Sequence, residues 1–137
     1  MTEGDGVPIG LAVAGANRHD MKLVRQTIES IVVKRPQPTV EQPQGMCLDK
    51  GYDFDEVRAT LAEFGFTGHI RSRGEEAKAL KREAAFRARR WVVERTHSWL
   101  NRFRRILIRW EKKPENYVAF LHFACALIAF HASGLFG

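Results

Sequence analysis

In the first half of the chain, apolar positions cluster in short runs set apart by polar, glycine-rich and proline-rich stretches. Val7 to Gly15 (VPIGLAVAG) is an apolar run closed by glycine and predicts a buried strand. Asn17-Arg18-His19-Asp20 then supplies turn and cap chemistry, with Asp20 as the expected helix cap. Met21, Val24, Ile28 and Ile31 follow at helical spacing and predict an amphipathic helix. Pro36, Pro38 and Pro43, interleaved with glutamines, mark a surface loop. Met46 to Leu48 predicts a second strand that ends at Asp49. Asp53 and Glu56 have the spacing of a capping box. Phe54, Val57, Leu61 and Phe64 give the next helix one apolar face, and Gly65 stops it. A third strand is expected from about Thr67 to Arg71. Strand, helix, strand, helix, strand is an α/β order, with parallel pairing expected between the last two strands.

Beyond Arg71 the pattern is helical. Gly74 to Arg90 is basic and alanine-rich, with good helix formers but no clear apolar stripe. Trp91 to Arg105 carries one at i, i+4, i+7 and i+11: Val92, Thr96, Trp99 and Phe103. At 100° per residue, Glu94 lies on the opposite face, shared with Arg90, His97, Asn101 and Arg105. Pro114 suits the first turn of a last helix. Tyr117 to Gly137 carries no Asp, Glu, Lys or Arg and approaches the ~20 residues of a membrane span. His122, His131, Ser133 and Gly134 interrupt it, so a buried C-terminal helix packed on a sheet is expected instead, and no membrane association.

A chain of 137 residues can bury a core within one domain. The formal charge of +6 is distributed unevenly. From Arg71 to Lys113 there are fifteen Lys/Arg against five Glu, a net of +10, which leaves −4 for the remainder. That asymmetry points to a polyanionic partner for the second half, most often nucleic acid, against the plainer alternative of a solvated basic helix pair. Cys47 and Cys125 lack CxxC spacing and read as reduced, buried packing residues of a cytoplasmic protein. MTEGDGVP at the start has no basic region followed by an apolar core, so no signal peptide is expected.

Two carboxylates stand out. In open α/β sheets, ligands bind outside the carboxyl ends of strands, where Asp49 falls, just before Lys50-Gly51-Tyr52. Glu94 sits among arginines on the predicted helix. Exposed pairs with Arg90 and Arg95 would be worth only ~0.3–0.5 kcal/mol, so stability explains Glu94 poorly. Metal-assisted phosphodiester chemistry needs anionic oxygens for divalent ions and cations for the substrate. It usually takes a third carboxylate, and the sequence offers no obvious one. A zinc site from Cys47, Cys125, His97 and His122 lacks diagnostic spacing and is set aside.

Four stretches in order, GVPIGLAVAGANRHD (Gly6–Asp20), CLDKGYDFDEVR (Cys47–Arg58), RWVVERTHSWLNRFRR (Arg90–Arg105) and WEKKPENYVAFLHFACALI (Trp110–Ile128), resemble the C-terminal part of insertion-sequence DDE transposases. The group is that of the IS-four and IS-five elements. The resemblance implies an incomplete ribonuclease-H-like α/β fold: a short mixed sheet flanked by helices, with a helical C-terminal half. It implies DNA strand cleavage and strand transfer. Asp49 and Glu94 would be the second and third catalytic carboxylates, holding Mg2+ or Mn2+. The family's tyrosine–arginine–glutamate–lysine signature is matched at Arg90 and Glu94, while Arg87 and Asn101 stand at the tyrosine and lysine positions. Lys50, Arg90, Arg95, Asn101, Arg102, Arg104 and Arg105 are the expected DNA contacts. Double-stranded DNA, a homo-oligomer on DNA and an upstream transposase segment are the expected partners. The first catalytic aspartate lies upstream of GVPIGLAVAG in the family, and Asp5 and Asp20 are poor substitutes. The chain is therefore expected to act as a single-domain C-terminal portion, inactive alone. A non-catalytic DNA-binding regulator is the alternative.

Overall fold

The computed structural model describes residues 1–70 and 90–135. The expected helix over Gly74–Arg90 lies almost entirely outside them. The chain divides into two compact units. One draws on Met1–Val13, Ser30–Val32 and the described residues of Arg89–Gly137; the other on Ala14–Glu29 and the described residues of Val33–Ala88.

The second unit is mixed α/β. A 3-10 turn (Asp20–Leu23) leads into α1 (Val24–Glu29), with Val24 and Ile28 buried as the sequence spacing requires. Its cap is His19, whose Nδ1 accepts from the Met21 N–H at 3.4 Å, and not Asp20, which sits inside the first turn. Strand β1 (Gln44–Leu48) pairs in parallel with β2 (Phe66–Ile70), Gln44 opposite Phe66 and Leu48 opposite Ile70. The expected parallel pair is therefore present. Among the described residues it is the whole sheet, so the mixed sheet expected from sequence is not seen there.

Helix α2 (Asp55–Glu63) crosses between the two strands and buries Val57 and Leu61 to 1% exposure. Gly68 keeps β2 open to it: a Cβ there would meet Leu61 Cδ1 at 2.8 Å. The capping box does not form. Phe54 is the N-cap, and Asp53 accepts from the Arg58 guanidinium instead. Gly65 ends the helix at φ +74°, a conformation that glycine takes without a steric penalty. Arg35 ties the proline-rich loop to this framework. Its guanidinium bonds Gln44 and the Phe64 carbonyl and lies 4.2 Å from the Phe66 ring centroid.

Alternation along β1 and β2 leaves Gly45, Cys47, Thr67 and His69 exposed on one face. Cys47 is consequently exposed, correcting its expected burial; Cys125 is half-buried, and both thiols are free.

The first unit is built on helices. Val7 to Gly15 is not a strand. Pro8 has no N–H to give to a ladder, and one antiparallel bridge, Thr2 to Pro8, is the only pairing there among the described residues. The run closes a small hairpin, with Glu3 N–H on the Val7 carbonyl at 3.0 Å and Ile9 N–H on Met1 at 3.0 Å. Helix α3 (Arg90–Leu100) buries Val92 and Thr96. It stops earlier than its apolar stripe suggests, because tight turns follow at Asn101–Phe103 and Phe103 caps the short α4 (Arg104–Leu107). Asn and Phe are mediocre helix formers, and this break takes Asn101 and Arg105 off the α3 face they were expected to share with Glu94.

Helix α5 (Pro114–Ala132) starts with proline, as expected, and packs on α3 and α4. Only Leu121, Ala124 and Ile128 are buried along it, while Phe123 and Phe130 are exposed. It is thus less buried than its composition suggests. Among the described residues no helix is long and apolar enough to cross a membrane.

Candidate active site

Asp49 follows the last residue of β1 and caps a 3-10 turn, Lys50–Tyr52. Its Oδ1 accepts the Gly51 N–H at 2.8 Å, and its carbonyl accepts the Tyr52 N–H at 3.1 Å. Extended φ and ψ (−75°, 171°) let the chain leave the strand and the side chain turn back on the backbone. Residue 51 must be small: a Cβ there would sit 2.9 Å from Asp49 Oδ1. The carboxylate stays exposed, with Lys50 exposed beside it.

The two 3-10 turns of this unit pack against each other and bring a second acid into the neighbourhood. Burial pushes the Tyr52 hydroxyl above its ordinary pKa, and the negative charges of Asp20 and Asp49 push it further. Nothing in the sequence announced that Asp20 would share Tyr52's surroundings with Asp49. Around this corner, His19 stands edge-on to Phe54 at 5.6 Å and Lys22 pairs with Glu56 at 3.1 Å, bracing the first turn against the start of α2.

Glu94 lies on α3, exposed and turned away from the buried Val92 and Thr96, as the helical wheel requires. The expected cationic neighbours divide into two kinds. Arg90 opens α3, and its side chain lies outside the described residues. Arg95 is engaged internally: its guanidinium lies 5.0 Å from the Trp91 ring and 5.3 Å from that of Trp99, and donates to the Asp5 carbonyl at 3.1 Å. Arg105 lies 4.9 Å from the Phe120 ring and pairs with Glu111 at 3.3 Å, yet its side chain is 65% exposed. Glu111 is the opposite, 8% exposed, with Oε2 buried and unpartnered. Asn101, Arg102 and Arg104 are exposed.

Asp49 and Glu94 belong to different units, and each is described by its own surroundings. Their hard anionic oxygens suit Mg2+ or Mn2+. Among the described residues, no three His, Cys, Asp or Glu side chains gather as a ready metal cluster.

Two comparisons with known proteins match nearly the whole chain. A family model described as "Transposase DDE domain" matches residues 1–129. A Burkholderia cepacia protein named as a transposase for insertion sequence element IS402 is 33% identical over 135 residues. The match covers 96% of this chain and 61% of that relative, so the chain spans about three fifths of the relative's length. No solved structure matches the chain significantly.

Proposed function

This chain belongs to the DDE transposase family, and on that premise we propose that it supplies two of the three carboxylates with which a DNA transposase cleaves and rejoins DNA strands. Asp49 and Glu94 are the proposed pair. The observation that carries the assignment is the placement of Asp49 at the carboxyl end of a parallel strand, its Oδ1 fixed by Gly51 and its side chain open to solvent. Glu94 supports it as an acid that the packing of α3 turns outward. The surrounding sheet and helices are compatible with a ribonuclease-H-like arrangement, which we adopt as the working fold.

Bound Mg2+ or Mn2+ would polarise the attacking hydroxyl and neutralise charge developing on the phosphate. The chain's own contribution is to hold carboxylate oxygens and present cations. Asp49 is held by its turn, Glu94 by its helix, and Lys50, Asn101, Arg102, Arg104 and Arg105 are exposed where phosphates can reach them. Double-stranded DNA is the proposed substrate. Its contacts with Lys50 and the arginines of this set release counterions, so affinity will fall steeply with salt.

With two carboxylates proposed where the chemistry takes three, the 137 residues by themselves should not catalyse strand transfer. The test is cleavage of a labelled element end in Mn2+. The chain alone should give no product, and the chain joined to the upstream part of its relative should. Asp49→Ala and Glu94→Ala in the joined protein should each abolish cleavage while DNA still binds. Retained cleavage in either variant would remove that residue from the catalytic set.

A further inference from the structure

Helix α3 is tied to a segment about ninety residues away by a small set of specific contacts. The hairpin at Met1–Gly10 places its tip, Gly4-Asp5-Gly6, against the helix where Val92, Arg95 and Thr96 emerge. Thr96 is 6% exposed; its hydroxyl lies 2.5 Å from the Gly6 carbonyl and 3.1 Å from that of Val92, and its one proton goes to the nearer acceptor. Gly6 has φ +86°, and a Cβ there would stand 3.1 Å from the Val92 carbonyl and 3.2 Å from Arg95 Cδ. Arg95, between Trp91 and Trp99, closes the contact from the other side by donating to Asp5. Glu3 holds the tip in shape, its Oε1 accepting the N–H groups of Asp5 and Val7 at 2.9 and 2.8 Å.

We infer that this hairpin fixes the rotation of α3 about its own axis, so that Gly6, Thr96 and Arg95 are positioning residues for the Glu94 carboxylate. The inference rests on the proposed role of Glu94 as a metal ligand. Its physical basis is a lever. Glu94 is 200° around the helix from both Val92 and Thr96 at 100° per residue, so the hairpin grips the back of the helix. A carboxylate about 5–6 Å from the axis moves roughly 2 Å when the helix rolls by about 20°. Metal–ligand distances tolerate only about 0.2 Å. Apolar packing of Val92 and of the α3–α5 contact resists such a roll less sharply, because methyl groups can slide. A hydroxyl on one carbonyl and a guanidinium on the next residue's carbonyl cannot both be kept when the helix turns. On this basis Arg95, expected from sequence to meet DNA, is assigned to the grip.

The test uses the full 137-residue chain and Tb3+ as a probe for hard oxygen ligands, its luminescence sensitised by the flanking Trp91 and Trp99. In the wild type, Glu94→Gln should abolish the sensitised signal. Thr96→Val should weaken Tb3+ binding by about tenfold, the low end of what orienting partners of metal ligands contribute. Thr96→Ser, which restores the hydroxyl, should recover it. Arg95→Lys, which keeps the charge but not the stack, should weaken binding in the same direction and serves where the valine variant does not fold. A Thr96→Val protein with a lowered Tm but an unchanged Tb3+ titration while folded would overturn the inference, since the contact would then be structural only. A signal that survives Glu94→Gln would instead overturn Glu94 as the ligand, and the positioning role with it.

Discussion

The two carboxylate-bearing regions are built in opposite ways. Around Asp49 the geometry is set within three residues: the strand ends, the side chain bonds the N–H two positions on, and Gly51 leaves it room. Around Glu94, among the described residues, no bond within its own turn sets the side chain. Its direction follows from how α3 is held at the back, by a hairpin whose bonds to Arg95 and Thr96 each span ninety residues of sequence. A local device tolerates change elsewhere in the molecule, whereas a remote one transmits it. Variants should therefore act on the two acids through different parts of the chain.

The largest effect expected is on the acids themselves. Asp49→Ala or Glu94→Ala, in the chain joined to its upstream segment, should lower strand cleavage by more than about a hundredfold, because even the orienting partners of metal ligands are worth 10–100-fold. Equal losses would place both acids in one catalytic set; an unequal pair would break the symmetry assumed for them. Next comes the core of the unit that carries Asp49. Leu61→Ala empties a side chain that is 1% exposed and should cost about 2–5 kcal/mol. The three tryptophans, at 91, 99 and 110, lie in the other unit. The loss should accordingly appear first in amide exchange along β1 and β2 and only later in tryptophan emission. Coincident changes would show that the two regions unfold as one.

Gly6→Ala should cost about 1–3 kcal/mol, the usual range for a non-glycine residue held at a left-handed φ, measured as a fall in urea midpoint. Gly51→Ala is its counterpart on the local side. It should leave stability within about 0.5 kcal/mol yet displace the Asp49 carboxylate, visible as a chemical-shift change at the Asp49 side chain. The smallest effect concerns the exposed Arg25–Glu63 pair. The bond from Arg25 lowers the Glu63 pKa, so its contribution to stability is present above the carboxyl's ordinary range and is lost as pH falls through the lowered value. An Arg25→Gln variant should show a higher Glu63 titration midpoint by NMR, and its difference from wild type should shrink on acidification. Thiol labelling offers a parallel check: exposed Cys47 should react ahead of Cys125, which is half-buried and whose pKa burial raises.

What the sequence made legible follows the same division. β1, α2 and β2, their parallel pairing and the stop at Gly65 are all local patterns, a short apolar run, a 3.6-residue stripe and a glycine, and they lie where periodicity puts them. Asp49 at a strand end belongs to this class. The errors came where distant segments decide. Val7 to Gly15 has the composition of a buried strand, but Pro8 and the bonds to Met1 fold it into a hairpin. Asp53 and Glu56 have capping-box spacing, yet Arg58 and Lys22 claim their carboxylates. Which helix the Gly4-Asp5-Gly6 tip would meet was beyond any local reading.

The ninety-residue separation between Gly6 and Thr96 also has a consequence for biogenesis. A ribosome adding about 5–20 residues per second takes roughly five to eighteen seconds to travel from one to the other. Throughout that interval the hairpin lacks the helix it grips, while β1, α2 and β2 are synthesised within it and can pair before it ends. Translation order thus completes the Asp49 corner before the Glu94 helix, whose orientation waits until Thr96 has been made.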